Sequence, residues 1–330
     1  MRVRAALTDG TDLKTYRRGH PKMPMPTRFG HEFSGDIVAM GESVSKSAGN
    51  SVNDANKNFA VGDAIMSVHT APCGTCFWCK NNQQELCETI MSTMILGAYA
   101  DHIIIPHRIL TQNTYKKPEN LSYTEAAFLE PLSCVVHSIT YLCHPEEPKG
   151  RLEGRTIAII GNGAFAILHA QLLKHYGANP IIIGRNEQRN AIANSLNIPT
   201  INSREENPLD AVLARTENRG ADAVIECTGN AEVWQEAPQL ARRGGTVSFF
   251  GGLPSSTQVA FQASLIHYDE IRLIGPFHLT PKSVRIAYEL LRDRKIDVAS
   301  LISGTFPLDD IADVFECLDR GEGLKYAIEP

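Results

Sequence analysis

Apolar and polar positions follow two different rhythms along this chain. Up to about residue 125, short apolar runs such as GDIVAM, DAIMSV and DHIIIP are separated by Gly, Pro and Asn. That punctuation predicts a series of short β-strands. The stretch Ser43–Asn58 is rich in Ser, Asn and Lys and predicts a polar loop or insertion. From Thr156 the rhythm changes. TIAIIG predicts a buried strand, and AFAILHAQLLKHYG carries apolar residues at helical spacing up to Gly177, a helix-capping glycine. PIIIG, RNAIANSL, ADAVIECTG and GTVSFFGG continue an alternation of strand and helix. Such alternation predicts an α/β fold with a doubly wound parallel sheet. Two further amphipathic helices, VRIAYELLRD and DIADVFECLD, occupy the last fifty residues, and no internal repeat is visible.

Composition narrows the class. The 330 residues suffice for two domains at roughly 150 residues each. Apolar residues are 43% of the chain and charged residues 21%, so each domain can bury a core. The formal net charge of -5 argues against nucleic acid or an anionic membrane as partner. No apolar run approaches the roughly 18 residues of a membrane span, and MRVRAALTDG has no signal-peptide apolar region. The expected location is the cytoplasm.

Four of the eight cysteines crowd into one segment: Cys73, Cys76, Cys79 and Cys87, spaced C-x2-C-x2-C-x7-C. Four thiolates this close can close a tetrahedral zinc site with no open position. An iron–sulfur site of the C-x2-C-x2-C-x3-C-P kind needs a shorter last gap, and here Glu88 follows the final Cys. The cluster therefore predicts a structural zinc lobe. Phe77 and Trp78 within it read as packing or surface-contact residues, and Cys227, in a strand-like run, reads as core.

Gly161-Asn162-Gly163-Ala164-Phe165-Ala166 follows a predicted strand and opens a predicted helix. This is G-x-G-x-x-A, a permitted form of the dinucleotide fingerprint. Gly161 makes the tight turn, Gly163 lets the backbone approach a pyrophosphate, and the helix N-terminus at Ala164 and Ala166 offers free N–H groups. An acid about 20 residues on, at the end of the second strand, would bind the ribose 2′-OH of NAD. Gly184 holds that place here, and Arg185 follows. Without a carboxylate, and with a guanidinium to hold a 2′-phosphate, NADP is favoured over NAD, although Glu187 lies close enough to serve a ribose. Thr228, in the ECTG segment, completes the candidate cofactor contacts.

Together these features resemble the zinc-containing medium-chain dehydrogenases of the alcohol dehydrogenase superfamily. FGHEFSG (residues 29–35) looks like that family's G-H-E metal motif, and Val61-Gly62-Asp63 like its V-G-D strand entry. LEPLS (residues 129–133) resembles the E-P-L-S segment of the sorbitol and polyol branch, and the tail GEGLKYAIEP also matches. The strand or two that open ordinary members before an I-C-G-T-D motif have no counterpart ahead of Thr8-Asp9-Gly10-Thr11-Asp12, so an exposed sheet edge is expected. The family's metal-binding Cys is Asp9 here. The resemblance then implies metal ligands Asp9, His31 and Glu32, with Glu130 nearby. Exchanging thiolate for carboxylate keeps the formal charge but makes the site harder and less selective for zinc. Some halophilic sugar dehydrogenases of the family also carry Asp at this position. The alternative is a retired site in which Asp9 and His31 simply pair.

The resemblance implies a GroES-like β-barrel catalytic domain, residues 1–130 with 278–330. A Rossmann-like coenzyme domain, residues 131–277, would lie between these segments, with the active site in the cleft. The implied reaction is hydride transfer between a secondary alcohol, a polyol, sugar or cyclitol, and NAD(P). A catalytic zinc would act as Lewis acid on the alcohol oxygen. Thr11 matches the family's hydroxyl relay, Asp12 would accept a bond from the ring of His31 and fix its tautomer, and Glu130 marks the polyol branch. His267 and His278 read as structural. A homodimer or homotetramer is implied. Rival readings are a metal-free reductase of the same fold, a non-catalytic dinucleotide-binding paralogue, and, least favoured by the acidic balance, a nucleic-acid-binding zinc lobe.

Overall fold

The computed structural model describes residues 1–19, 25–42, 58–142 and 152–330. The polar stretch from Ser43 lies outside them except for Asn58, as does Cys143. The chain divides into two compact units, Met1–Cys134 with Leu279–Pro330, and Val135–His278.

The first unit begins with β1 (Arg2–Leu7), α1 (Gly10–Arg18), β2 (Glu32–Asp36) and β3 (Ala64–Ser67). It continues through α2 (Phe77–Lys80), α3 (His107–Asn113), β4 (Thr114–Lys116), α4 (Tyr123–Ala126) and α5 (Leu129–Ile139), which runs past the unit boundary. The second unit alternates β5 (Thr156–Ile160), α6 (Ala164–His175), β6 (Asn179–Gly184), α7 (Glu187–Ser195), β7 (Thr200–Asn202), α8 (Pro208–Ala214) and β8 (Ala221–Glu226). It closes with α9 (Ala231–Glu236), β9 (Ala241–Phe249), α10 (Ala263–His267) and β10 (Arg272–Ile274). The chain then returns to the first unit for α11 (Pro281–Arg292), β11 (Ile302–Pro307), α12 (Ile311–Asp319) and β12 (Lys325–Glu329).

The first unit's sheet has the order β11-β12-β1-β2-β3-β4. β1 is antiparallel to both neighbours, pairing Leu7 with Glu32 on β2 and with Ala327 on β12. β1 is therefore bonded on both sides and is not an exposed sheet edge of this unit. Gly35 is required on β2 because an added Cβ would lie 2.0 Å from the Arg2 carbonyl oxygen. The run DHIIIP is not a strand. Pro106 ends it, and an isolated bridge of His102 to Arg2, with bonds from Val3 N to Asp101 O, Ile103 N to Met1 O and the Met1 amine to Ile103 O, ties it to β1 and the residue before it. Ile103 and Ile105 still pack on the cluster around Val3, Ala6 and Phe33, so burial rather than a ladder explains their apolar pattern.

The second unit's sheet is parallel throughout, in the order β10-β9-β8-β5-β6-β7. Counted from β5, this is the 3-2-1-4-5-6 order of a Rossmann sheet. Its strands read as nearly continuous aliphatic runs because helices cover both faces. Cys227 lies one residue beyond β8 and is only half-buried, a correction to its reading as strand core. No helix among the described residues is long and apolar enough to cross a membrane.

His169, fully buried on α6, packs edge-on against Phe250 and shares its Nδ1 proton with the Phe165 carbonyl at 2.8 Å. Its Nε2 has no partner among the described residues. Burial lowers its pKa to about 4. The folded protein therefore keeps this ring neutral where the unfolded chain, with a pKa near 6.5, takes up a proton. Stability is unaffected above the unfolded pKa and falls as pH drops from about 6.5 towards 4. Across that window, wild type is expected to lose about 3 kcal/mol more than His169→Leu, read by urea denaturation at each pH. Parallel pH profiles for the two proteins would contradict this.

Candidate functional site

The register of the first sheet gathers the chemistry. β1 ends at Leu7, and Glu32 sits opposite it on β2. His31 is the residue before that strand. Asp9 follows β1 as the N-cap of α1, where its Oδ2 accepts the Thr11 N–H at 2.8 Å. β12 enters from the other side of β1, and its first residue, Lys325, lies only 2% exposed. The ammonium of Lys325 donates to both oxygens of Glu32, at 2.7 and 2.6 Å, and to the Thr8 carbonyl at 3.0 Å, and stands 3.8 Å from Asp9 Oδ1. Asp12, in the first turn of α1, lies 3.4 Å from His31 Nδ1 and accepts the Tyr99 hydroxyl at 2.7 Å. Its contact orients the imidazole so that Nε2 faces Asp9 Oδ2, 3.9 Å away.

Glu130, in the first turn of α5, is 4% exposed. Its Oε1 is 3.5 Å from His69 Nδ1 and accepts from the Cys134 thiol at 3.5 Å. The rings of His31 and His69 meet edge to face with centroids 5.1 Å apart. Thr11 is exposed, with its backbone on Asp9. The sequence reading thus brought together Asp9, Asp12, His31, Glu32 and Glu130 but missed Lys325, His69 and Tyr99. The sole local signal for Lys325 was a lysine opening an apolar strand, and His69 was marked only by an apolar run before the first cysteine.

These groups titrate together. Burial pushes the Asp9 carboxyl up, but the charges of Lys325 and His31 and the Thr11 hydrogen bonds outweigh it and hold it at about 2. Burial opposes charge on His31, yet Asp12, then Glu130 and Asp9, raise its pKa to about 10. Burial raises Glu32 and Glu130, with Lys325 countering it at the first and His31 at the second. Burial opposes charge on Lys325 as well, but Glu32 and Asp9 keep it protonated. Four buried carboxyl groups thus share the site with one ammonium and two imidazoles, those of His31 and His69. The donor atoms of Asp9, His31 and Glu32 lie within 4.8 Å of one another. Three donors so placed can converge on a single divalent ion with ligand bonds of about 2.0–2.2 Å, and its charge would favour the ionised form of the carboxyl groups that burial pushes up.

Cys73, Cys76, Cys79 and Cys87 form a second cluster, also within 4.8 Å of one another. The sulfurs of Cys73 and Cys79 are 3.9 Å apart, far from a disulfide and close to the edge of about 3.8 Å that a tetrahedron of 2.3 Å zinc–sulfur bonds requires. Backbone N–H groups of Thr75 and Cys76 donate to the Cys73 sulfur, and that of Cys73 to the Cys87 sulfur. The Thr75 hydroxyl and these amides lower the Cys73 pKa to about 5. The lobe therefore fits a closed metal centre. Phe77 on its surface is exposed, with Trp78 edge-on beside it.

In the second unit, Gly161 has φ +109°, a left-handed conformation that favours glycine. An added Cβ there would meet Thr228 at 3.2 Å, whereas one at Gly163 would meet nothing within 4 Å. The space beside Gly163 is therefore a cradle open to a ligand at the N-terminus of α6, the end at which a helix directs its first amides outward. Ala166 is wholly buried, the close packing that the third small residue provides. Glu226 locks the facing turn, accepting from the Thr228 hydroxyl and backbone and from Gly229 N. Gly184 ends β6, and the side chain of Arg185 is exposed beyond it. His267 is exposed and His278 partly buried.

The chain's likeness to known proteins agrees with this arrangement. Residues 1–117 match the model of the alcohol dehydrogenase GroES-like domain, and residues 165–293 that of the zinc-binding dehydrogenase domain. The chain belongs to the zinc-containing medium-chain dehydrogenases of the alcohol dehydrogenase superfamily. Sorbitol dehydrogenase of Bacillus subtilis is 29% identical over 344 residues, covering 100% of this chain and 89% of the relative. L-threonine 3-dehydrogenase of Coxiella burnetii is 27% identical over 339 residues, covering 98% and 90%. Alcohol dehydrogenase from Thermus sp. ATN1 superposes with a TM-score of 0.85 at 26% identity, covering 100% of this chain and 91% of that one. A protein of Sinorhizobium meliloti described as a zinc-binding dehydrogenase and bound to NADP gives a TM-score of 0.84 at 27% identity, with the same coverage. This dehydrogenase thus combines the family's α/β coenzyme fold with a GroES-like domain.

Lys325→Met leaves Glu32 as a buried charge without its cation. A loss of about 3–5 kcal/mol is expected in chemical denaturation, most of it recovered in Lys325→Met with Glu32→Gln. A single-variant loss below about 1 kcal/mol, the range of an exposed pair, would show that the ammonium is solvated rather than buried.

Proposed function

We propose that this oxidoreductase interconverts a secondary alcohol of polyol, sugar or cyclitol type and its ketone, with NADP preferred over NAD. The convergence of Asp9, His31 and Glu32 within 4.8 Å, among buried carboxyl groups, carries the reading. Relatives named sorbitol dehydrogenase and D-arabitol-phosphate dehydrogenase, 26–29% identical, support the polyol class. The absence of an acid at Gly184 and the exposed Arg185 support NADP.

In this mechanism a divalent cation, zinc by family, would be held by Asp9, His31 and Glu32 and supply Lewis acidity towards the alcohol oxygen, while NAD(P) supplies the hydride acceptor. The protein's residues do the rest. Asp12 holds His31 with Nε2 turned to the donor cluster. The Thr11 amide fixes the Asp9 carboxylate. The Thr11 hydroxyl, on the exposed first turn of α1, is the group assigned to carry the substrate proton to solvent. Glu130, held protonated more readily than a solvated carboxyl by its burial, faces His69 and provides a polar wall for a hydroxylated substrate. The four-cysteine lobe would hold a structural zinc that stiffens its segment without taking part in chemistry. Gly161, Gly163, Ala164 and Ala166 shape the pyrophosphate cradle, with Thr228 beside Gly161. The same reading makes the protein a cytoplasmic homodimer or homotetramer.

One observation favours a second reading, a metal-free reductase of the same fold. Lys325 already engages both oxygens of Glu32 and approaches Asp9, so part of the site's charge is neutralised from within.

Steady-state assays over polyols and their ketones separate the two. Wild type is expected to turn over with NADP and to lose activity on chelation, and Asp9→Ala to fall at least about 100-fold in kcat/KM, as loss of a transition-state electrostatic contact does. Arg185→Ala should weaken NADP about tenfold, one lost charge-assisted contact, and leave NAD unchanged. Activity that survives chelation and Asp9→Ala would favour the metal-free reading.

A further inference from the structure

The glycine at the end of β6 is not there for its backbone. Gly184 does not have the positive φ that favours glycine. The constraint is steric: an added Cβ would lie 2.4 Å from Asn162 Cγ and Nδ2 and 2.5 Å from Asn162 Cβ. Asn162 is the middle residue of the Gly161–Gly163 turn, and it is only 7% exposed. Its side chain fills the space into which any residue at position 184 would project. That is the position from which an acid reaches the ribose 2′-OH in an NAD-preferring sheet of this order.

The amide is also anchored. Asn162 Nδ2 donates to the Asn186 carbonyl at 2.8 Å and to Asn190 Oδ1 at 2.9 Å. Asn190, 6% exposed, returns its own Nδ2 to the Gly184 carbonyl at 3.1 Å. Asn186 Oδ1 accepts the Arg189 N–H at 3.1 Å and caps α7. Each acceptor faces a donor, so the network fixes the orientation of both amides. Arg185 therefore sits between two residues, Gly184 and Asn186, whose carbonyls are both tied down. Its backbone is held still while its guanidinium remains exposed.

We infer that Asn162 is the residue that sets coenzyme selectivity, by excluding an acid from position 184 and pinning the backbone that presents Arg185. The effect is exerted across the β5–α6 turn, 22 positions from Gly184 along the chain. Being neutral, Asn162 places no charge against a 2′-phosphate, and its bulk keeps a carboxylate out. The inference rests on the proposed use of a nicotinamide dinucleotide.

The test is binding of NADPH and NADH to the whole chain without substrate, followed by coenzyme fluorescence, with a melting curve for each variant. Wild type is expected to prefer NADPH. Gly184→Asp alone is expected to lose NADPH at least about tenfold and gain no NADH, because its side chain has no room. Asn162→Gly with Gly184→Asp opens that room, and the preference should invert to NADH by about tenfold or more, the worth of one charge-assisted hydrogen bond. Asn162→Gly alone introduces no clash and tests the pinning. Its NADPH-to-NADH ratio should shrink severalfold from that of wild type.

The inference is overturned by NADH gained in Gly184→Asp alone with an unchanged melting curve. It is equally overturned by a double variant that folds and keeps the wild-type preference, or by an unchanged ratio in Asn162→Gly. Binding of neither coenzyme by wild type would overturn the dehydrogenase reading itself, and the inference with it.

Discussion

The contact between Lys325 and Glu32 ties the first unit's architecture to its chemistry. Neither group is tolerated in the interior alone, since burying an unpaired charge costs several kcal/mol even after relaxation. Their pairing, with both Glu32 oxygens and the Thr8 carbonyl around one ammonium, demands that β12, β1 and β2 keep one register. That register brings Asp9 and His31 to the same place. Because β12 comes from Lys325–Glu329, the site is complete only when that segment has paired with β1, far from it along the chain. The ammonium also makes an all-carboxylate neighbourhood tolerable. Asp9 offers a harder oxygen donor than a thiolate, and Lys325 helps hold that carboxyl ionised.

The site is dense in donor atoms. Asp9 is held ionised, while burial pushes Glu32 and Glu130 towards the protonated form beside Lys325 and the rings of His31 and His69. A divalent cation drawn to Asp9, His31 and Glu32 would favour the ionised form of Glu32 and compete with Lys325 for it. In the cysteine lobe the four sulfurs lie within 4.8 Å of one another, with amide donors aimed at those of Cys73 and Cys87, an arrangement that fits a closed centre. In the second unit the governing constraint is space rather than charge. Open room beside Gly163 admits a phosphate, and filled room beside Gly184 excludes an acid.

Features carried by contiguous residues were legible in the sequence. The G-x-G-x-x-A turn, the cysteine spacing and the alternation of strands and helices after Thr156 each depend on neighbours within a few positions. The parallel, doubly wound class of the second sheet follows from that alternation, but its strand order does not, since more than one order satisfies it. Lys325, His69 and Tyr99 were not legible, since each reaches the site through pairing or packing between distant segments. DHIIIP misled because Ile103 and Ile105, partly buried against Val3, Ala6 and Phe33 with Ile104 exposed between them, carry the same alternation as a strand without its ladder. Gly184 was read correctly as the lack of an acid, but its cause, the direction of a missing Cβ against Asn162, exists only in three dimensions.

Metal content decides whether Asp9, His31 and Glu32 hold an ion with a carboxylate at position 9. It is read by elemental analysis of protein purified without chelator or a metal-affinity tag. About two metal ions per chain are expected in wild type and about one in Asp9→Ala, the remainder held by the four cysteines. About one per chain in both proteins would contradict a metal site at Asp9 and leave metal only in the cysteine lobe.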